Sequence, residues 1–221
     1  MTELLTIDNL LFWGIIAGLL QVVGYWIYIA DDKIDPNPVT WFMFAYGTGL
    51  LTILEWDKDA SVPELILPAV CSVLSIYVSF RCWKKARAMN PKAWWPRDWW
   101  PEDTWERWSF ISDIIITIGY VVAWVLATYA IISTDHKAIA VFVFLLLSNL
   151  STIPSFYPIL RTTYLYPERE VASPWIIWTL AYVILTFITY ETQGTFWHIL
   201  MLYPVINVVL HGVLAVLAGR R

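Results

Sequence analysis

Asn207 sits inside an apolar run near the C-terminus, three residues after Pro204. A carboxamide in hydrocarbon is costly unless its polar atoms are paired. It therefore bonds either a neighbouring helix or a polar solute. Asn149 and Thr152 raise the same alternative in an earlier run. Trp41, Trp175 and Trp178 stand at the starts of two further runs. An indole face stacks on the apolar face of a sugar or on a planar ring. An indole at a span end equally well anchors that span at the membrane–water interface. Asp113 is an acid inside an otherwise apolar stretch. Acids within a membrane are functional candidates, but near a helix N-terminus an Asp also complements the dipole, and that structural role is the expected one. His198 and His211 could carry protons, with helix-packing hydrogen bonds the expected role.

These residues do not assemble into a catalytic set. The sequence has no Gly-rich phosphate loop, no His-Glu-x-x-His and no nucleophile with a matching base. The expectation is a protein that is not an enzyme and holds no metal or other cofactor. Cys71 and Cys82 show no metal spacing and no disulfide framework. No Lys or Arg falls at the middle of an apolar run, which argues against an anionic solute held by a fixed cation. The net charge of −4 argues against nucleic acid.

The elements that must position these residues are membrane spans. Of the 221 residues, 59% are hydrophobic and 14% charged, where a soluble domain carries about 25% charged residues. A span needs roughly 20 mostly apolar residues. Seven such segments are expected, near residues 9–30, 38–56, 63–83, 109–133, 138–160, 173–191 and 195–218. The second is the weakest, because Glu55 ends it early. The start, MTELLTIDN, lacks the basic residues of a signal peptide, so the first run is expected to stay as a span. With the N-terminus outside, twelve Lys and Arg residues fall on the cytoplasmic side and only Lys58 and Lys137 outside. That asymmetry orients the chain N-terminus out and C-terminus in.

Residues 84–108 read KKARAMNPKAWWPRDWWPEDTWERW. Pro96 and Pro101 argue against one uninterrupted helix. Tryptophans beside basic residues favour the interface. The segment is therefore either an interfacial anchor or a platform for a protein partner or lipid headgroups.

The two ends of the chain resemble each other. With a shift of 131, Gly24-Tyr25-Trp26 falls on Ser155-Phe156-Tyr157 and Pro36 on Pro167. With a shift of 134, Trp41 falls on Trp175 and Phe44 on Trp178. With a shift of 136, Pro68 falls on Pro204 and Cys71 on Asn207. Landmarks in the same order predict an all-α transmembrane protein in a 3+1+3 arrangement. Two parallel three-helix units cover 1–83 and 138–221. The helix at 109–133 inverts the chain between them, and 84–108 links the first unit to it. Prolines inside spans, Pro68, Pro154, Pro158, Pro174 and Pro204, are expected to mark bends.

The second copy reads Pro158-Ile159-Leu160-Arg161-Thr162, Tyr166-Pro167-Glu168-Arg169-Glu170 and Ser173-Pro174-Trp175. The first reads Gly24-Tyr25 through Pro36-Asn37-Pro38-Val39-Thr40-Trp41. These stretches resemble the SWEET and SemiSWEET (PQ-loop) transporters, most of all bacterial SWEET-like proteins, over nearly all of the chain outside the Trp-rich linker. Three departures stand out: Ile27 pairs with Pro158, Ala30 pairs with Arg161, and Ile159 replaces the signature Gln. The resemblance implies a bacterial inner-membrane location and hinges at Pro38, Pro158 and Pro174. It also implies a solute pocket in which Asn207 and its counterpart Cys71 face the ligand, lined further by Trp41, Trp175, Trp178, Asn149 and Thr152.

Two functions follow as expectations. One is a facilitator moving a small neutral or polar solute, a sugar among the candidates, by alternating access. The other is a non-transporting receptor or membrane subunit on the same scaffold, docking a partner through Trp94, Trp95, Trp99 and Trp100, or a homo-oligomer.

Overall fold

Among the described residues of the computed structural model, 7–30, 38–89, 101 and 103–220, every long element is an α-helix and no strand occurs. Seven α-helices follow in order: α1 (Ile7–Ala30), α2 (Pro38–Asp57), α3 (Val62–Met89), α4 (Thr104–Thr128), α5 (Thr134–Leu165), α6 (Ala172–Gln193) and α7 (Leu202–Ala218). Six of them are long and apolar enough to cross a membrane, and α2 falls short of that test. The expected weakness of the second span has a packing reason. Helix α2 lies against α3, α5 and α4, so its threonines, glycines and Glu55 face protein rather than lipid. On other helices a lipid-facing stripe is evident, as in Val209, Val213 and Val216 of α7.

Local signals set the helix ends. Pro38 opens α2, where its missing donor has no helical partner. Pro174 stands in the first turn of α6 and loses no helical bond there, so the bend expected at Pro174 has no backbone cause. Pro68 and Pro158, by contrast, lie inside α3 and α5. Ser61 donates from both its backbone N and its Oγ to Glu64 Oε2, each at 2.7 Å, starting α3. Asp103 caps α4 by accepting from Trp105 N at 2.8 Å, so α4 begins at Thr104 rather than near 109 and ends at Thr128 rather than 133. The segment 84–108 is thus helical at both margins. Trp94, Trp95, Trp99 and Trp100 lie outside the described residues, as does Pro36. Gly194, at φ 69°, ends α6. A short loop and a 3₁₀ turn at Ile199–Met201 then delay α7 to Leu202.

Helix packing repeats between the two ends of the chain. Helix α3 lies against both α1 and α2, and α7 against both α5 and α6. Across the middle, α1 packs on α6 and α2 on α5, while α4 lies on α5 and α2. At one end of the bundle, Lys137 Nζ binds Asp57 Oδ1 at 2.6 Å, and Gln193 Nε2 donates to Glu64 Oε1 at 3.2 Å. At the other end, Thr40 Oγ1 donates to Glu106 Oε1 at 2.5 Å, and Ser79 Oγ to Pro38 O at 2.6 Å. Between these ties lie two buried clusters. One is aliphatic, around Leu51, Leu54, Leu67 and Leu185. The other is aromatic, around Tyr25, Tyr28, Trp41, Trp175 and Trp178.

Candidate functional site

The two clusters meet at a cavity of about 40 Å³ to which all seven helices contribute. One water needs about 10–15 Å³ on the same measure, so the cavity holds a few waters and is too small for a hexose without movement of its walls.

Aromatic rings form one side. Trp175 and Trp178 pack edge to face at 4.9 Å, Tyr25 lies 5.0 Å from Trp178 and 5.4 Å from Trp41, and Tyr28 lies 5.0 Å from Trp41. Trp41, Trp175 and Trp178 are all buried. They are therefore core and pocket residues, and an interfacial belt does not explain them. Phe44 and Phe156 close the adjoining side at 4.7 Å.

Polar groups line the cavity among these rings, with His211 packed on Phe156, Trp175 and Tyr182, and their bonds fix which atoms remain available. Asn207 Nδ2 donates to Tyr203 O, one turn back, at 2.9 Å, which leaves Oδ1 as the acceptor of this side chain. His211 Nδ1 lies 2.8 Å from Asn207 O. A carbonyl only accepts, so this nitrogen carries the hydrogen, and Nε2 of the neutral ring is an acceptor. Cys71 Sγ lies 3.3 Å from Tyr25 Oη, which is also 2.5 Å from Ser75 Oγ. Tyr182 and Tyr203 hydroxyls pair at 2.9 Å. Trp178 Nε1 donates to Gln21 O at 3.2 Å. Two buried atoms on lining residues have no partner: Gln21 Oε1 and Trp175 Nε1.

Helix α4 adds a carboxylate. Asp113 is buried, lines the cavity, and accepts from Ser151 Oγ at 2.6 Å through Oδ1. Ser109, one turn before it, donates to Ser151 O at 2.9 Å. Among the described residues, no group of three His, Cys, Asp or Glu side chains is placed to hold a metal ion.

Of the residues singled out from sequence, Asn207, Cys71, Trp41, Trp175, Trp178 and Thr152 line this cavity. Asn149 does not. It is buried, with Nδ2 bonded to Leu145 O at 2.9 Å and Oδ1 unpartnered. Its own helix takes its donor, while Ser148, Ser151, Thr152 and Ser155 of α5 line the cavity. Of the expected hinges, Pro38 and Pro174 sit at helix starts and Pro158 inside α5, and none lines the cavity. Sequence reasoning assigned Asp113 and His211 structural roles, and both line the cavity. It passed over Gln21, Tyr25 and Tyr182. A signal existed for Asp113: Glu106, Ser109, Asp113, Ile116 and Ala123 are the buried residues of α4, and their helical spacing sets Asp113 on the packed stripe. His198 lies outside the cavity, accepting from Leu200 N at 3.4 Å at the start of the 3₁₀ turn. No family model, curated protein or solved structure matches the chain.

Proposed function

We propose that this chain is an integral membrane carrier that moves a small polar solute by alternating access. In this reading α1–α3 and α5–α7 are parallel repeat units, α4 is the inversion linker, and the N-terminus is outside. The observation that carries it is the pairing of cavity-lining residues across the repeat. Tyr25 and Phe156, Trp41 and Trp175, Phe44 and Trp178, and Cys71 and Asn207 are counterparts by the sequence shifts, and all eight line the same cavity. A chamber lined by equivalent positions of two like units lies on their pseudo-axis, where repeat-built carriers bind their solutes.

Burial supports the same register. Tyr25 and Phe156 are buried while the following Trp26 and Tyr157 are exposed, and Leu67 and Tyr203 are both buried. The repeated packing of the third helix of each unit against the other two supports it as well. The small volume suits a contracted state between two open ones.

Solute counterflow in proteoliposomes tests the reading, with a panel of sugars, polyols, amines and vitamins. At least one solute is expected to exchange, with the rate falling roughly tenfold or more in Asn207→Ala, the scale of losing a hydrogen bond worth 1–3 kcal/mol. Absence of exchange across the whole panel sinks the carrier reading.

A further inference from the structure

We propose that the solute is a small organic ammonium ion bearing N–H donors, held between the Asp113 carboxylate and the aromatic wall. This rests on the carrier reading of the same cavity and names its substrate class. Carriage of a polar solute alone leaves a sugar and a small cation both open, and the charge of the wall distinguishes them.

Four acceptor atoms of the wall are still available to a solute. Gln21 Oε1 is buried without a partner. Asn207 Oδ1 and His211 Nε2 are the acceptor ends of groups whose donor ends are bonded within α7. Asp113 Oδ1 takes the Ser151 hydroxyl, and Oδ2 remains. The hydroxyl protons of Ser109, Thr152 and Ser155 already go to backbone carbonyls of α5, and the Trp178 indole proton goes to Gln21 O. The donors left over are Trp175 Nε1, buried without a partner, the Gln21 Nε2 amide group and the Ser148 hydroxyl. The acceptors serve an ammonium group, which offers donors only.

Charge points the same way. Asp113 is 4% exposed, and the lining residues include no Lys or Arg. A buried carboxylate without a basic partner either holds a proton or faces a cation from elsewhere. The rings supply the second half of a cation site. Trp178 lies 5.0 Å from Tyr25, 6.1 Å from Trp41 and 4.9 Å from Trp175, all of them lining residues, and indole faces attract cations through their quadrupole. A carboxylate and aromatic rings lining one cavity recognise an amine by charge, by N–H donation and by cation–π contact together.

The test is equilibrium binding, read by intrinsic tryptophan fluorescence of the full chain in lipid nanodiscs, with ethanolamine and glucose as probes at matched ionic strength. Ethanolamine is expected to saturate and glucose to bind roughly tenfold more weakly or worse. Asp113→Asn should weaken ethanolamine roughly tenfold or more, and Asp113→Glu should recover most of the loss. If Asp113→Asn does not fold, Gln21→Leu replaces it as the variant, with an expected weakening of roughly threefold to tenfold. Glucose binding as tightly as ethanolamine overturns the proposal, as does ethanolamine binding that is absent or unchanged in the variant that folds. Counterflow separates the two levels. Glucose exchange without ethanolamine exchange overturns the ammonium class and leaves the carrier. Saturable ethanolamine binding without exchange of any solute leaves the cation site and removes the carrier.

Discussion

The indole Nε1 of Trp178 donates to the backbone carbonyl of Gln21 at 3.2 Å, joining α6 to α1 beside the cavity. Gly24 makes this approach possible. A Cβ at Gly24 would lie 2.3 Å from that Nε1 and 2.7 Å from the ring Cδ1. Both atoms belong to a buried ring held among Tyr25, Tyr28 and Trp175, so the ring cannot swing away cheaply. Gly24→Ala is expected to cost about 1–3 kcal/mol as an overpacking change, and to lower the unfolding midpoint by several degrees. Trp178→Phe in the same background removes the clashing indole and should recover part of the loss, a coupling that a double-mutant cycle measures. An unaltered midpoint in Gly24→Ala would show that α1 and α6 do not meet in this way.

Pro158 separates binding from movement. It lies inside α5 four residues after Pro154. Neither proline has an N–H, so the carbonyls of Pro154 and Leu150 lack their helical donors. Pro158→Ala returns the donor to Pro154 O and stiffens α5. If this stretch bends during transport, solute affinity should stay within about twofold while counterflow slows roughly tenfold, a rise of about 1.4 kcal/mol in the barrier. Equal rates in the variant and the parent would make Pro158 a static kink.

How far these features were legible in the sequence depended on the kind of signal. The spans were readable because runs of apolar residues have few other uses, and α2 was weak on that measure because protein covers it on three sides. The start of α4 was not, since its first turn, Thr104-Trp105-Glu106-Arg107, is polar and interfacial while Asp103 caps it. Trp41 and Trp175 could be either belt or pocket, because sequence gives depth along a helix and leaves its facing open. The repeat resolved part of this by pairing Cys71 with Asn207. It was silent on Asp113, because shifts of 131 to 136 pair no residue of α4 with another part of the chain. Asn149 is not among the lining residues, and its Nδ2 is bonded to Leu145 O of its own helix, a local bond that a sequence does not announce.

Cys71 offers a chemical reading of the cavity. Its thiol is buried between the hydroxyls of Tyr25, at 3.3 Å, and Tyr182, at 4.0 Å. Only a compact reagent can reach it, and only when the walls part. In a Cys82→Ser background, methyl methanethiosulfonate is expected to label Cys71 slowly, and saturating solute should slow the reaction further, roughly in proportion to the fraction of sites filled. Intact-mass spectrometry follows the single adduct. Labelling that is indifferent to every transported solute would place the solute somewhere other than beside Cys71.

The orientation is testable without any knowledge of the solute. Lys58 and Lys137 share one end of the bundle with the α6–α7 loop, and the salt bridge from Lys137 to Asp57 holds the ends of α5 and α2 together there. Arg107, Arg161 and Arg169 lie toward the opposite end, where α4 begins and α5 finishes. Since Lys and Arg near span ends are retained on the cytoplasmic side, the proposed orientation puts the Lys58 end outward. Trp197 is 97% exposed in the α6–α7 loop at that end, and Glu168 lies in the 3₁₀ turn at the other end. In a Cys71→Ala/Cys82→Ala background, Trp197→Cys should react with a membrane-impermeant maleimide on intact cells. Glu168→Cys should react only after permeabilisation. The reverse pattern would overturn the proposed orientation and put the Lys58 end of the bundle on the cytoplasmic side.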